Sequence, residues 1–551
     1  MKTSHNGPAP QPTLPPTLSP SLPNHADLQQ LKRQARELLR DWRAGSPPSL
    51  ARAAPHHRGA PAQLSLAQLV IARELGFPSW PALHRAVMAQ QEARQLDDAA
   101  LVTRVLTLAI GRGWNSPQPE RALALLQRLG SRCPPHLRPA LALLRGELDL
   151  LDALPTAAQQ LPPFDAPALA YVCFSSLHRL GEPWASGLLR GAQALLAQAG
   201  TDPNAARMPD PDLPPAPGAT EPPGLPLLYG AVARAQSPEL AAALLAAGAN
   251  PNDGESLYHA CEDPDRSRAA LQIRQLMAHG ARWQGTNALL RLLDFDDPAG
   301  LAVALSLGAD VNETGPQGAS ALHHALRRGR CVACLSQLLA AGADLTLRDT
   351  DGRTPATLAA LLGENAALEL LAAQGAQPEL PASRQRFLAA CAAADEPAAR
   401  ALLQQEPDLL QAQLSAQELQ LLPDQAQRRA RASVALMLSL GWPVAVPGDW
   451  QASALNQAAF NGDVVLVRLL LAHGASWQEG NGFGGNVMGS LQHACVHLPQ
   501  PDADYLGTLR LLLSAGAPWP GDEEREQLPE ELQAWLDEAE PGSQLAGPCA
   551  A

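Results

Sequence analysis

Two short stretches hold the residue types that catalytic and metal sites use. The first is "PNDGESLYHACEDPD" at 251–265, which gathers Asp253, Glu255, Ser256, Tyr258, His259, Cys261 and Glu262. A Cys nucleophile there would need an imidazole base within hydrogen-bond reach and a carboxylate to orient it. The second is "HHALRRGRCVAC" at 323–334, with His323, His324, Cys331 and Cys334. Cys-x-x-Cys is a zinc-knuckle spacing, but a closed zinc site needs four ligands and a second Cys-x-x-Cys is absent. His56 and His57 form an isolated pair in "APHHRGAP", read as a loop. A Gly-rich phosphate loop, a Gly-x-Ser-x-Gly elbow and a His-Glu-x-x-His helix are all missing, and "GFGGN" at 482–486 reads as a flexible turn.

The elements that must position these residues follow from composition and period. A chain of 551 residues has room for several ordinary domains or one long repeat array. Apolar residues make up 46% of it but aromatics only 4%, so the core must be built from Leu, Ala and Val, in a chain rich in helix formers. Lys occurs only at 2 and 32, so nearly all positive charge is Arg, which fits a GC-rich, bacterial coding sequence. A net charge of −13 argues against nucleic-acid binding, which needs a basic footprint. The nearest to one is Lys32, Arg33, Arg36, Arg40 and Arg43, but Glu37 and Asp41 share that helix and make it a solvated face. Eight scattered cysteines are too few for a disulfide framework and read as reduced thiols of a cytoplasmic protein. The opening "MKTSHNGPAPQPTLPPTLSP" has no apolar signal-peptide core, and no apolar run reaches the ~18 residues a membrane span requires.

Residues 1–25 are Pro-rich and expected to be disordered. Leu28, Leu31, Ala35, Leu38 and Leu39 predict a helix over 25–45 closed by Gly45, followed by helices at 65–77 and 79–90, the latter with Pro81 in its first turn. Short helices fill 96–200, and "MPDPDLPPAPGATEPPG" at 208–224 reads as a linker. Beyond 225 the signal is a repeat. Leu-rich helices end at Gly248, Gly280, Gly308, Gly342, Gly375, Gly441, Gly474 and Gly516, spaced by about 33 residues with one gap twice that. The segment 387–410 fills the double gap, giving about nine units. Their first helices begin "LYGAV" (228–232), "LYHAC" (257–261), "LHHAL" (322–326), "LNQAA" (455–459) and "LQHAC" (491–495), and Thr354–Pro355 supplies one helix cap.

This pattern resembles the ankyrin repeat. The clearest match is "SALNQAAFNGDVVLVRLLLAHGAS" at 453–476, with Ser453 in the family's Thr place and Asn456 in its His place; "GADVNE" (308–313) and "GADLTLRDTDGRTP" (342–355) match the turn between units. The resemblance covers 225–517, and "GTDPN" (200–204) echoes the turn in a region of degenerate units at 137–204. The segment "LSLAQLVIARELGFPSWPALHRAV" also resembles one found in bacterial ankyrin-repeat proteins. The resemblance implies an all-α solenoid of stacked antiparallel helix pairs joined by hairpin-like turns, preceded by a small N-terminal helical element. It places Leu257 and Cys261 inward and His259 outward; two residues apart on one helix, His259 and Cys261 point to opposite sides and cannot pair. It makes His323 a structural residue whose ring bonds the turn, and Cys331 and Cys334 small apolar fillers of a second helix. Trp283, Trp477 and Trp519 fall where the turn is packed, while Trp450 falls near a turn tip.

The resulting layout is a tail at 1–25, a helical element at 26–92, a helical region at 96–207, the linker at 208–224, the repeat array at 225–520, and an acidic capping helix and tail at 521–551 with Leu528, Leu532, Trp535 and Leu536 facing inward. The expected function is binding of another protein on the concave face, with no catalytic, cofactor or metal site and no nucleic-acid or membrane partner. The residues placed on that face are His259, His324, Arg327, Arg328, Trp450, Gln457, Phe460 and Asn461. Two other classes remain: an enzyme with its chemistry in 26–200 and the repeats as docking arm, or a self-associating assembly protein.

Overall fold

Ser79 and Asp27 sit in extended conformation ahead of apolar-striped segments, and each side chain accepts a backbone N–H of the following first turn. They open two of the four helices of an N-terminal unit: Leu28–Arg43, Pro47–His57, Leu64–Glu74 and Trp80–Gln95. The computed structural model describes residues 22–539 apart from 24, 58–61, 114–115, 131, 152, 206, 213–223, 316–317 and 501. The expected N-terminal tail therefore lies outside the described residues, except that Leu22 packs on the core and the carbonyl of Pro23 accepts from Gln90. Leu31, Ala35, Leu38, Leu39, Ile71 and Leu83 form that core.

Two expectations for this unit are corrected. His56 and His57 end a helix rather than occupy a loop, and the His56 ring lies 3.4 Å from Arg73. The acidic C-terminal helix Glu530–Ala539 buries Leu532 and Leu536 as its leucine spacing requires, but it belongs to this unit and packs on Leu64–Glu74. An apolar stripe needs cover, and here a helix from the opposite end of the chain provides it.

The second unit runs from Asp97 to Pro520. Its plan is plainest where Ala321–Arg327 precedes Val332–Ala340, Pro355–Leu362 precedes Asn365–Ala373, and Ala454–Phe460 precedes Val464–Ala472. Each second helix folds back on its first; first helices then stack on first helices, and second on second, through most of the unit. The buried seam consists of small residues and leucines such as Ala325, Leu326, Leu338, Ala458, Ala459 and Leu470. Alanines let the first helices approach closely, and the leucines fill the space between neighbours.

The eight glycines that mark the period all adopt φ between +84° and +92°. At Gly308 a Cβ would meet nothing within 4 Å, so conformation, not space, demands glycine there. In the unit that lacks the glycine, Ser383–Ala392 and Glu396–Gln405 end instead at Glu406 and a wide turn over Leu409–Gln413. A side-chain ladder joins successive turns. Asn252 donates to the carbonyl of Gly280 at 3.0 Å and accepts the N–H of Arg282 at 2.9 Å; Asn312 does the same with Gly342 and Asp344. Each rung satisfies a carbonyl left over at a helix end.

Asn204 makes the same pair of bonds, to Gly248 and Asn250. The echo at 200–204 is therefore the same ladder one rung earlier. At the two ends of the Pro-rich stretch expected as a linker, Arg207–Pro209 pairs antiparallel with Gly224–Pro226, while 213–223 lie outside the described residues. Gly230 then lies against Phe174, whose ring a Cβ would approach to 2.5 Å, which joins the region before the stretch to the first helix after it. Among the described residues no helix is long and apolar enough to cross a membrane.

Candidate functional site

The cluster at 251–265 resolves into a turn and a short helix, Ser256–Ala260. Asp253 closes the turn, accepting the N–H groups of Glu255 and Ser256 and the hydroxyl of Ser256. Cys261 is fully buried, and burial pushes its thiol up to about 12, so it stays a thiol near neutral pH. His259 is on the other side, as expected, but it is not an open surface group. Its Nδ1 meets Glu262 at 2.6 Å and its Nε2 meets Glu255 at 3.2 Å. Both nitrogens face carboxylates, so the ring is an imidazolium. Burial alone would lower its pKa; the hydrogen bonds and charges of Glu255 and Glu262 outweigh that and raise it to about 9. Tyr229 and Tyr258 pack their rings edge-on against it.

From Glu262 a path of alternating charge crosses successive repeats. Arg291, from the next first helix, binds Glu262 and Asp294 at 2.8 and 2.7 Å. Asp294 also accepts from His324 at 2.9 Å and from Arg328 at 2.8 Å. Burial would raise the Asp294 carboxyl, but His324, Arg328 and Arg291 hold it well below the usual carboxylate range. Arg328 continues to Asp449 at 3.2 Å and lies 4.7 Å from the Trp450 ring centroid. Four of the expected residues, His259, His324, Arg328 and Trp450, thus lie along one path, linked by Glu262, Arg291, Asp294 and Asp449. Sequence reading missed Asp294, the hub; its only signal was the acidic run "DFDDP" at 294–298.

Beyond Arg328 stands an aromatic pair. The Trp450 ring is 6.3 Å from that of Phe483, and their exposures are 49% and 79%. Trp450 has φ +53°, in the left-handed region, and its carbonyl accepts the N–H of Gly482 at 2.5 Å. The "GFGGN" loop is therefore a folded support, not a flexible turn: Asn481 accepts the N–H groups of Phe483 and Gly485, and Gly480 bridges Asn486.

The remaining expected residues lie elsewhere. Arg327 turns to the fully buried carboxylate of Asp349 at 3.1 Å. Gln457 and Asn461 are corrected from surface to interior: they are 7% and 8% exposed. Asn461 donates its amide to the carbonyls of Ala426 and Gln427, where it satisfies the end of the neighbouring first helix. Phe460 is half-buried and faces His493 with ring centroids 6.4 Å apart.

At the second cluster His323 takes the structural role the resemblance implies. Its Nε2 donates to the carbonyl of Arg353 at 3.0 Å and its Nδ1 faces the Ser320 hydroxyl at 2.9 Å. Asn456 holds the equivalent place with bonds to Glu479 and Gly480 carbonyls. The cysteines are corrected in part. Cys334 is a buried filler, but Cys331 is the half-buried N-cap residue of Val332–Ala340. Trp283 packs inward and donates its indole N–H to the carbonyl of Leu307.

The ankyrin-repeat family model matches residues 297–382 in three copies. No curated protein matches the chain. Among solved structures, the ankyrin repeat domain of Bcl-3, described as a unique member of the IkappaB protein family, is 19% identical; the match covers 43% of this chain and 97% of that one, with a TM-score of 0.33. The human ASB11 ankyrin repeat domain is 22% identical over 42% of this chain and 99% of its own, with a TM-score of 0.21. The chain therefore contains ankyrin repeats within an all-α solenoid. Such repeats generally bind other proteins on the extended surface their stacking creates.

Proposed function

We propose that the array, comprising about nine repeat units over 225–517 and degenerate units at 137–204, is the binding surface for another protein, anchored at Trp450 and Phe483. The observation that supports this most is the exposed aromatic pair, held by the Gly482–Trp450 bond and underlain by Arg328. Aromatic rings offer large contact area at low entropy cost, and Trp and Arg are enriched where binding energy concentrates. The charge path from His259 to Arg328 fixes the first helices beneath, so the surface is formed before a partner arrives. Asp449, paired with Arg328, holds that guanidinium beneath the Trp450 ring.

The test is capture of cellular partners by the full chain and by a Trp450→Ala, Phe483→Ala double variant. The expected result is loss of partners retained by the parent, with an unchanged helical circular-dichroism spectrum. Equal capture by both refutes the reading. Turnover that survives in the double variant but is lost on deleting 1–205 would favour the enzyme class. Concentration-dependent light scattering abolished by the same double variant would make the partner a second copy.

A further inference from the structure

Asp296, Cys331 and Cys334 come from two consecutive repeats, and one ligand atom of each lies within 4.8 Å of the others. Cys331 and Cys334 are the N-cap and third residues of Val332–Ala340, so both sulfurs rise from the same end of one helix, 3.8 Å apart. Asp296 follows the first helix of the preceding repeat and brings a carboxylate oxygen to 3.7 Å from the Cys334 sulfur. That oxygen also accepts the backbone N–H of Cys331 at 3.0 Å, which fixes the carboxylate against the two sulfurs. A tetrahedral zinc with Zn–S of about 2.3 Å and Zn–O of about 2.1 Å has edges of about 3.8 Å between sulfurs and about 3.6 Å between sulfur and oxygen. The Cys331–Cys334 and Cys334–Asp296 edges match at 3.8 and 3.7 Å, and the Cys331 sulfur lies within 4.8 Å of the Asp296 oxygen.

We infer that Asp296, Cys331 and Cys334 form a binding site for a thiophilic divalent cation, zinc, with the fourth position left to water. Two thiolates select zinc over calcium or magnesium, which require oxygen ligands. On binding, the two thiols form Zn–S bonds and release their protons to solvent, so uptake rises with pH. Two thiolates, one carboxylate and Zn²⁺ sum to a charge of about −1, with the guanidinium of Arg330 close enough to act on Asp296 as the balance. The ion would staple two repeats through residues 35 and 38 apart in sequence.

The experiment uses the full chain, reduced and freed of metal, dialysed against zinc chloride and separately titrated with cobalt(II) chloride. The expected result is one zinc per chain and a thiolate-to-cobalt charge-transfer band in the near ultraviolet. Cys331→Ser and Cys334→Ser should each abolish that band, whereas Cys133→Ser leaves it intact. Asp296→Asn keeps a side-chain oxygen that can accept the Cys331 N–H but removes the charge; it should keep the sulfur band and the helical circular-dichroism spectrum while weakening zinc retention. Absence of stoichiometric zinc from the reduced chain, or zinc uptake unaltered in both Cys331→Ser and Asp296→Asn, overturns the inference.

Discussion

The charge state of His259 makes a prediction that can be worked through. Its pKa is 6.5 in an ordinary setting and about 9 in the fold. A raised pKa means the folded state holds the proton more tightly, so the contribution is complete below about pH 6.5 and is lost as pH rises through about 9. At 1.36 kcal/mol per pH unit the span gives a ceiling of roughly 3 kcal/mol. The side chain is 23% exposed, so solvent screens part of this, and about 2 kcal/mol is the working figure. The assay is urea unfolding at about pH 6 and about pH 9.5, for the parent and for His259→Gln. Other groups also titrate in that window: the thiol of Cys261 ionises in the unfolded chain before it can in the fold, which lowers stability at high pH. That effect is common to both proteins and cancels in the difference. The depressed pKa of Glu262 acts only in the acid range. The parent should therefore lose about 2 kcal/mol more than the variant between the two pH values. Equal losses would refute the claim that the two carboxylates hold an imidazolium.

Asp294→Ala should cost about 3–5 kcal/mol in the same unfolding assay, since it strands Arg291, His324 and Arg328 without their shared anion; a loss under about 1 kcal/mol would show the hub to be replaceable by water. Asn252→Ala removes one rung of the turn ladder, two hydrogen bonds at a solvated turn, and should cost about 1–2 kcal/mol, with faster amide exchange at Gly280 and Arg282. Gly308→Ala should cost about 1–2 kcal/mol from backbone strain alone. Gly363→Ala should cost clearly more, because its Cβ would lie 2.4 Å from the carbonyl oxygen of Ala392; equal losses at the two sites would discount that clash.

What could be read in the sequence was local. The glycines, the Thr354 cap, the His323 position and the leucine seam each answer a demand of their own turn or helix, so the residue type declares the place. What could not be read depends on neighbours one or more repeats away. Asn461 occupies a position that a single unit leaves open, yet the carbonyls of Ala426 and Gln427 close over it. Phe483 meets Trp450 only because an inserted loop after Val464–Ala472 folds back on the turn of its own repeat. Asp296 joins Cys331 across a unit boundary, with no spacing rule to signal it. The acidic C-terminal helix showed its apolar face in sequence, but not which helix would cover it.

Arg428 reaches back to the carbonyls of Leu326 and Arg327, 102 and 101 residues earlier, and to Glu364, while Arg328 reaches forward 121 residues to Asp449. Repeats coupled only to immediate neighbours can begin folding anywhere and spread outward one unit at a time. Around 326–449 that freedom is lost, because a clasp of such sequence separation closes only after the intervening chain has found its path, and long loops delay this step. The middle of the array should therefore be the last segment to acquire amide protection during refolding, flanked by ends that order first.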